Sequence, residues 1–347
     1  MRKFAFYLLI FAMSFVVVSG CSKDEKTNES TSEPTEIENE ETETFATFPF
    51  SGVEKEGVVE QRAYAVMVNN QKQARPQSGL SKADIVFEML TEGDITRFLA
   101  IYQSEQPEVV GPVRSAREYF FTLAQGYDAI YVYHGAADFI NDMIQSRGIE
   151  NLPGAQYDND GHLFVRESFR QAPHNSYFQF GAANEVAEQK GYVTKKQYEP
   201  LSFLTSEEDV SGEEATHVKI NYLGKSSAIE YVYDDVSEKY ARYEDGAQTV
   251  ELDDETPIQL DNVLIVESYH DVIDAQGRRA IDIDSGGTAY LLQQGKIQYV
   301  EWENRDGRIV PVKDGQVIPF VPGQTWINFV PSSPGISEQV QIVHDEV

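Results

Sequence analysis

The first twenty-one residues constrain this chain most, because they separate a targeting segment from the part that folds. Two basic residues precede an apolar run of fifteen residues, Phe4 to Val18, and Ser19-Gly20-Cys21 follows. The run is too short to cross about 30 Å of hydrocarbon as a helix, which takes about 20 residues. This order of regions is typical of a secretory signal peptide. We therefore expect residues 1–20 to be removed and to take no part in the fold.

Cys21 is the only cysteine, and small residues stand directly before it. This combination indicates a lipobox, in which the thiol receives a diacylglycerol with fatty acids such as palmitate and becomes the new N-terminus. A lone thiol is poorly suited to an oxidising compartment unless it is capped. The alternative is an ordinary secretory signal with Cys21 as a spare thiol. We expect a lipoprotein anchored to the outer, extracytoplasmic face of the cell membrane.

Composition divides the rest of the chain into four segments. Residues 21–47 are acidic and nearly free of apolar side chains, so they cannot offset the entropy of ordering and should form a disordered tether. Residues 48–203 mix β-branched or aromatic runs with helical patterns, which predicts a mixed α/β sheet domain. An acidic linker at 204–215 precedes residues 216–347, where short strand-like runs alternate with turn signals. That pattern predicts a smaller β-rich domain of meander or barrel type, and the fold class is α+β.

The first domain contains the clearer local predictions. Its predicted strands cover residues 63–69, 84–90, 96–103 and 128–133, and its predicted helices cover residues 115–125, with Ser115 as N-cap, 136–147 and 178–190.

The net charge of −29 excludes one class of partner. Nucleic-acid binding needs clustered cations that displace counterions, so we expect no nucleic-acid partner. The membrane, through Cys21, is the first expected partner. An anionic wall polymer or precursor, and a protein, are further candidates.

Arginine usage is the strongest anomaly in the first domain. Between residues 75 and 170 there are seven Arg and one Lys. Planar guanidinium groups are favoured where carboxylate or phosphate is held by paired donors. The candidate ligand-binding residues are Arg75, Arg97, Arg114, Arg117, Arg166 and Arg170, with Lys82 as an auxiliary. The alternative is that they pair with neighbouring acids, such as Glu88, Glu92, Asp94, Glu118 and Glu167, to hold loops together.

Catalytic residues are less clearly indicated. His174, between Pro173 and Asn175, is a candidate general acid–base or hydrogen-bond donor. An enzyme would also need a carboxylate beside it, for which Glu88 and Asp94 are the candidates.

Metal binding is a weak alternative. Asp158, Asp160 and Glu167 occupy positions three, five and twelve of an EF-hand-like loop, but Gln156 stands where the first aspartate is wanted. We therefore expect no metal and no other cofactor.

Several long motifs resemble a known family. They are NNQKQARPQSGLSKADIVFEMLTEGDITRF, GPVRSARE, RQAPHNSY and GGTAYLLQQGKIQYVEWENRDGR. Over nearly all of residues 60–331 the chain resembles the YerB-like bacterial lipoproteins, a two-domain family of unknown function. A weaker likeness, limited to Arg97, Arg114 and Arg117 around short strands, is to the LytR-CpsA-Psr phosphotransferases, whose Asp-bearing signature is not matched.

These observations favour a non-enzymatic binding or accessory lipoprotein of the cell envelope, with an anionic ligand on the arginines. One alternative is an envelope enzyme that acts on a phosphorylated or glycan substrate. The other is a purely structural or protein-interaction lipoprotein.

Overall fold

The computed structural model describes residues 45–205, 208–222 and 228–344. These residues belong to one compact unit. The predicted signal peptide, the lipidation site Cys21 and most of the predicted tether lie outside the described residues. None of the described helices is long and apolar enough to cross a membrane.

Most of the described regular structure is β-strand. In chain order the strands are β1 Phe45–Thr47, β2 Glu54–Glu56, β3 Tyr64–Asn69, β4 Ile85–Leu90, β5 Thr96–Tyr102, β6 Val109–Val110, β7 Ile130–Tyr133, β8 Asn151–Pro153, β9 Phe164–Arg166, β10 Ser176–Gln179, β11 Glu213–Glu214, β12 His217–Asn221, β13 Ala228–Asp234, β14 Lys239–Glu244, β15 Ala247–Gln248, β16 Gln259–Leu260, β17 Asn262–Ser268, β18 His270–Val272, β19 Arg279–Ile281, β20 Gly287–Gln293, β21 Lys296–Arg305, β22 Arg308–Lys313, β23 Gln316–Val317, β24 Thr325–Pro331 and β25 Val340–Ile342. The α-helices are α1 Glu118–Gly126, α2 Asp138–Ser146, α3 Ala183–Gln189 and α4 Ile336–Gln339, and short 3-10 turns cover Lys72–Ala74, Leu80–Lys82 and Phe180–Ala182.

One twelve-stranded mixed sheet runs through both halves of the chain. Its strand order is β23-β22-β21-β20-β17-β24-β4-β5-β3-β7-β8, and β11 pairs with β21. The halves join at the parallel pair of β4 and β24, which aligns Ile85 with Thr325 and Met89 with Phe329. The second half therefore continues the sheet of the first, as a meander over β20 to β23. The predicted boundary at 204–215 remains a prediction.

The central strands are buried on both faces, which explains why most of their residues are apolar. Successive strand residues point to opposite faces, so they enter two different cores. Val66 and Phe98 join a core with α3 and the second sheet, whose order is β15-β14-β13-β12-β25. Met67 and Leu99 join a core with α1 and α2. The fold thus has three layers, with the large sheet in the middle.

The predicted strands at 63–69, 84–90, 96–103 and 128–133 are confirmed as β3, β4, β5 and β7, each within two residues at either end. The helix predicted at 136–147 is confirmed as α2. Of the predicted α+β fold, the mixed sheet in the first half and the β-rich second half are confirmed.

Three local predictions were wrong at their ends. The helix predicted from Ser115 begins at Glu118, with Arg117 at its N-cap, because the preceding segment is hydrogen-bonded along the sheet edge. The segment predicted as helix from residue 178 begins as strand, because β10 pairs with β6 and β9. The last residues of the predicted tether, Phe45–Thr47, pair with β2.

Candidate functional site

The parallel strands of the large sheet end at one edge, and the loops after them build the candidate site. β3, β4, β7, β17 and β24 share one direction, so their carboxyl ends lie together. β5 runs the opposite way and begins at this edge. In open sheets of this kind, ligands bind in crevices outside the carboxyl ends of the strands.

Three of the predicted ligand-binding arginines meet at this edge. Arg97 is the second residue of β5. Arg114 lies between β6 and α1, and its backbone is hydrogen-bonded to β3 and to the residue after β7. Arg117 is the N-cap of α1. The Arg97 Nη1 atom donates a 3.2 Å hydrogen bond to the carbonyl of Ser115, which brings β5 against the segment that carries the other two.

One carboxylate serves two of these arginines. Glu92 lies in the loop between β4 and β5; its Oε2 accepts a 2.8 Å hydrogen bond from Arg97 Nη2, and its other oxygen contacts Arg117. Only 5% of Arg97 and 7% of Arg117 is exposed. Burial lowers the pKa of both guanidinium groups, because it removes the water that stabilises the charge. The pair therefore depends on a shared anion.

Arg114 has no such anion. Its Nε is buried without a hydrogen-bond partner, and among the described residues no carboxylate forms an ion pair with it. Burial, and after it the charge of Arg97, lowers the pKa of Arg114 to about 10. The group is therefore still a cation at neutral pH. Within the described residues these three guanidinium groups form ion pairs with one carboxylate, that of Glu92, which leaves an excess of two positive charges among the four groups.

A fourth arginine, which the sequence analysis missed, comes from the second half of the chain. Arg279 begins β19, and its Nη2 donates a 2.7 Å hydrogen bond to the carbonyl of Gly93 in the loop between β4 and β5. Its Nε is buried and unpartnered within the described residues, as are those of Arg97 and Arg117. Burial raises the pKa of Tyr119 to about 12, although these three arginines act against it. The sequence feature that could have indicated Arg279 is the pair Arg278-Arg279, which stands in an otherwise acidic half of the chain.

The arginine cluster is therefore defined by five residues: Arg97, Arg114, Arg117, Arg279 and Glu92. It presents guanidinium donors around one carboxylate and can hold an oxyanion by charge-assisted hydrogen bonds.

Two histidines flank the arginine cluster. The Nδ1 atom of His174 lies 2.8 Å from Asn69 Nδ2, and burial followed by the charge of Arg114 lowers its pKa. The Nδ1 atom of His134 lies 2.6 Å from Ser176 Oγ, and burial is the largest cause of its lowered pKa. Both imidazoles are therefore mostly neutral at pH 7.

Two other predicted arginines are already paired with acids. Arg75 contacts Glu244 and forms a 2.8 Å ion pair with Asp245, and it lines a hollow of about 440 Å³ that the arginine cluster does not line. Arg166 holds both oxygens of Asp158, at 2.6 and 3.1 Å. These contacts follow the alternative expectation, in which arginines order loops.

The last two predicted cations also hold the chain together. Arg170 donates to the carbonyls of Ala74 and Pro76 at 2.8 and 2.5 Å, which ties its loop to the loop after β3. Lys82 forms a 2.7 Å ion pair with Glu105 at the surface.

The two candidate catalytic carboxylates differ in their exposure to solvent. Glu88 is 0% exposed; its Oε2 accepts hydrogen bonds from Arg242 Nη2 and Trp326 Nε1, both at 3.0 Å. It therefore has no access to a ligand that arrives from solvent beside His174. Asp94 is exposed on the loop between β4 and β5.

The candidate metal ligands serve their own loop. Asp158 is paired with Arg166, and one oxygen of Asp160 accepts three backbone N–H groups of residues 162–164 at 2.9 to 3.0 Å. The backbone N–H of Glu167 donates to Asn175. In the part of the chain that the structure describes, no group of three His, Cys, Asp or Glu is arranged to hold a metal ion.

Fold and site together define a β-rich protein whose two halves share one sheet, with an arginine cluster at the carboxyl edge of the parallel strands. The family model "Protein of unknown function (DUF3048) N-terminal domain" matches residues 50–193, and the corresponding C-terminal domain model matches residues 218–327. The chain belongs to this two-domain family.

Two comparisons place the chain close to one member. It is 48% identical over 286 residues to the Bacillus subtilis (strain 168) protein named "Putative lipoprotein YerB", an alignment that covers 82% of this chain and 86% of the relative. The crystal structure of YerB from Bacillus subtilis matches with 45% sequence identity and a TM-score of 0.79, covering 86% of this chain and 100% of that chain. The resemblance drawn from the motifs is confirmed.

Proposed function

We propose that this protein is a membrane-anchored, extracytoplasmic lipoprotein that binds an anionic ligand of the cell envelope through the arginine cluster. The ligand class is a wall polymer or precursor that carries phosphate or carboxylate groups.

The observation that carries the proposal is the guanidinium of Arg114, which forms no ion pair with any acid among the described residues. In a chain of net charge −29, acids are plentiful, and a cation kept without one is best explained by an anion from outside. It stands beside Arg97 and Arg117, which share one carboxylate. A cluster with excess positive charge focuses the field at its site and attracts anions although the whole protein is acidic.

The proposal keeps part of the set expected from the sequence. Arg97, Arg114 and Arg117 remain ligand-binding residues, and Arg279 joins them. The proposal assigns no ligand to Arg75, Arg166 and Arg170. Their guanidinium groups hold loops in place, since they are bound to acids or to backbone carbonyls.

Two observations support the membrane anchor. Residues 1–20 read as a signal peptide that ends before Cys21, and the name of the Bacillus subtilis relative contains the word lipoprotein. The outer face follows from the same signal, because export precedes attachment of the lipid.

Isothermal titration calorimetry with sodium pyrophosphate and sodium phosphate tests the proposal. The sample is the chain from residue 21 with Cys21→Ser, which retains every residue that the structure describes. Arg114→Gln should weaken pyrophosphate binding at least about tenfold, because it removes charge-assisted donors worth about 1.5–3 kcal/mol. Arg117→Gln should act in the same direction.

The matched control is Arg305→Gln. Arg305 pairs with Glu303 at the surface, with about two fifths of each side chain exposed. It lines a hollow together with Gly126, at the opposite end of α1 from Arg117, so Arg305→Gln removes the same charge outside the arginine cluster. If Arg114→Gln and Arg305→Gln weaken pyrophosphate binding equally, the loss comes from the removal of one positive charge and not from a contact at the arginine cluster. No heat with either anion for the unsubstituted chain would refute binding at this cluster.

A further inference from the structure

Glu92 stands where an external anion would have to bind. Its two oxygens face Arg97 and Arg117, and its side chain is 24% exposed, whereas those of the two arginines are 6% and 9% exposed. The carboxylate therefore closes the pair from the solvent side. A ligand that reaches the pair must replace it.

The two buried arginines cannot stay without an anion. Removing one partner of a buried ion pair leaves an uncompensated charge, which is strongly destabilising. If Glu92 swings out, another anion has to take its place at the same time. A ligand anion therefore replaces the Glu92 carboxylate directly, and the two arginines are not left without an anion in between.

The loop that carries Glu92 faces open space on one side of Gly93. Gly93 has a φ of +62°, and a Cβ atom added there would meet nothing within 4 Å, whereas a Cβ atom added to Gly277 would lie 3.7 Å from the Gly93 nitrogen. One side-chain hydrogen bond from Arg279 to the Gly93 carbonyl ties it to the second half of the chain. Displacement of the Glu92 side chain breaks its contacts with Arg97 and Arg117, and movement of the turn also breaks the hydrogen bond from Arg279.

Arg114 supplies a second binding point. It belongs to the same cluster as the Arg97 and Arg117 pair but does not share Glu92. One anionic group can bind Arg114 without any displacement, and a second group linked to it is then held at high effective concentration beside the pair.

We infer that Glu92 is a built-in competitor for the ligand, and that the site takes an anion with two linked charged groups, one on Arg114 and one that displaces Glu92 from Arg97 and Arg117. This rests on the proposed function of the same cluster and adds the chemical class of the ligand. Pyrophosphate and polymers with successive phosphate groups belong to this class; a single carboxylate or phosphate does not.

Calorimetry on the same Cys21→Ser chain tests the inference, with pyrophosphate and phosphate as probes. For the unsubstituted chain, pyrophosphate should bind at least about tenfold more tightly than phosphate. Glu92→Gln should tighten pyrophosphate binding about tenfold, equivalent to about 1.4 kcal/mol, because the amide keeps the size of the side chain and removes its competing charge.

The matched control is Glu150→Gln. Glu150 forms a 2.6 Å ion pair with Arg62, which is 5% exposed, so it is also a carboxylate on a buried arginine, away from the arginine cluster. Circular dichroism checks folding. If Glu92→Gln is unfolded, Glu92→Asp provides the test: it keeps the charge, shortens the reach, and should tighten binding by a smaller factor.

Each outcome separates the two proposals. If pyrophosphate binds and depends on Arg114, but Glu92→Gln binds no more tightly than Glu150→Gln, the cluster binds anions and the competitor role is refuted. Equal affinities for phosphate and pyrophosphate would refute the requirement for two linked groups. If Glu92→Gln binds pyrophosphate and the unsubstituted chain does not, the competitor role holds and the proposed function of the unsubstituted chain is refuted. If neither chain binds pyrophosphate, both proposals are refuted.

Discussion

The buried ion pair that joins the two halves allows a quantitative test of the fold. Arg242 of β14 and Glu88 of β4 are both 0% exposed and lie 3.0 Å apart, and Glu244 lies 3.0 Å from the same nitrogen of Arg242. The guanidinium stands over the rings of Phe98 and Trp326, at 5.3 and 5.0 Å from their centroids. Arg242→Met keeps apolar volume between the rings and removes the charge.

The expected loss follows from these contacts. Removing one partner of a buried pair costs about 3–5 kcal/mol. Glu244 keeps a contact with Arg75, so most of the cost falls on Glu88. For a body of about 300 residues, an unfolding entropy of about 2.1 cal/mol/K per residue is about 0.6 kcal/mol/K. Arg242→Met should therefore lower the Tm by about 5–8 °C at pH 8.

The loss should depend on pH in one direction. Burial raises the pKa of Glu88 from its ordinary 4.5, and Arg242 acts against that rise, so the variant should have a still higher pKa in the folded state. A carboxyl group whose pKa is raised on folding destabilises the fold as the pH rises above its unfolded value. The Tm deficit should therefore be smaller at pH 5 than at pH 8.

Differential scanning calorimetry at the two pH values measures the deficit. The double variant Arg242→Met/Glu88→Gln should recover part of the Tm at pH 8, because it no longer buries that unpaired carboxylate. A deficit that is equal at pH 5 and pH 8, and unchanged in the double variant, would show that lost packing and not charge is responsible.

Two further expectations concern single positions. Arg114→Gln should raise the pKa of His174, since burial and then the charge of Arg114 lower it. The pH dependence of the imidazole proton shifts in NMR spectra measures this pKa. An unchanged value would show that Arg114 does not act on His174. Gly126→Ala should destabilise by about 1–3 kcal/mol, because a Cβ atom there would lie 2.1 Å from the Gly307 carbonyl oxygen, as urea unfolding would show. The control Gly181→Ala meets nothing within 4 Å and should change stability by less than about 0.5 kcal/mol.

Local pattern carried much of the fold prediction. Strands β3, β4 and β5 are predominantly apolar segments of six or seven residues, and such segments indicate strands that are covered on both faces. The helix ends were less predictable. Ser115 has the chemistry of an N-cap, but hydrogen bonds of its segment to distant strands displaced the helix start to Glu118.

Part of the candidate site could also be predicted from the sequence. The excess of arginine over lysine drew attention to Arg97, Arg114 and Arg117, which the sheet edge does bring together. The same signal selected Arg75 and Arg166, whose acid partners could not be foreseen. A guanidinium carries the same composition signal whether its partner is a ligand or a protein carboxylate, because only the surrounding fold supplies the partner.

The sequence by itself determined the apolar periods, the turn residues and the family of this protein, all of which depend on neighbouring residues or on long motifs. Tertiary structure alone decided that β24 would lie beside β4, which joins the two halves in one sheet. It also decided that Arg279 would approach Gly93 and that Glu92 would lie between two arginines. These pairings join residues up to about 240 positions apart, and they are chosen by the combined free energy of the packed core, which no local pattern contains.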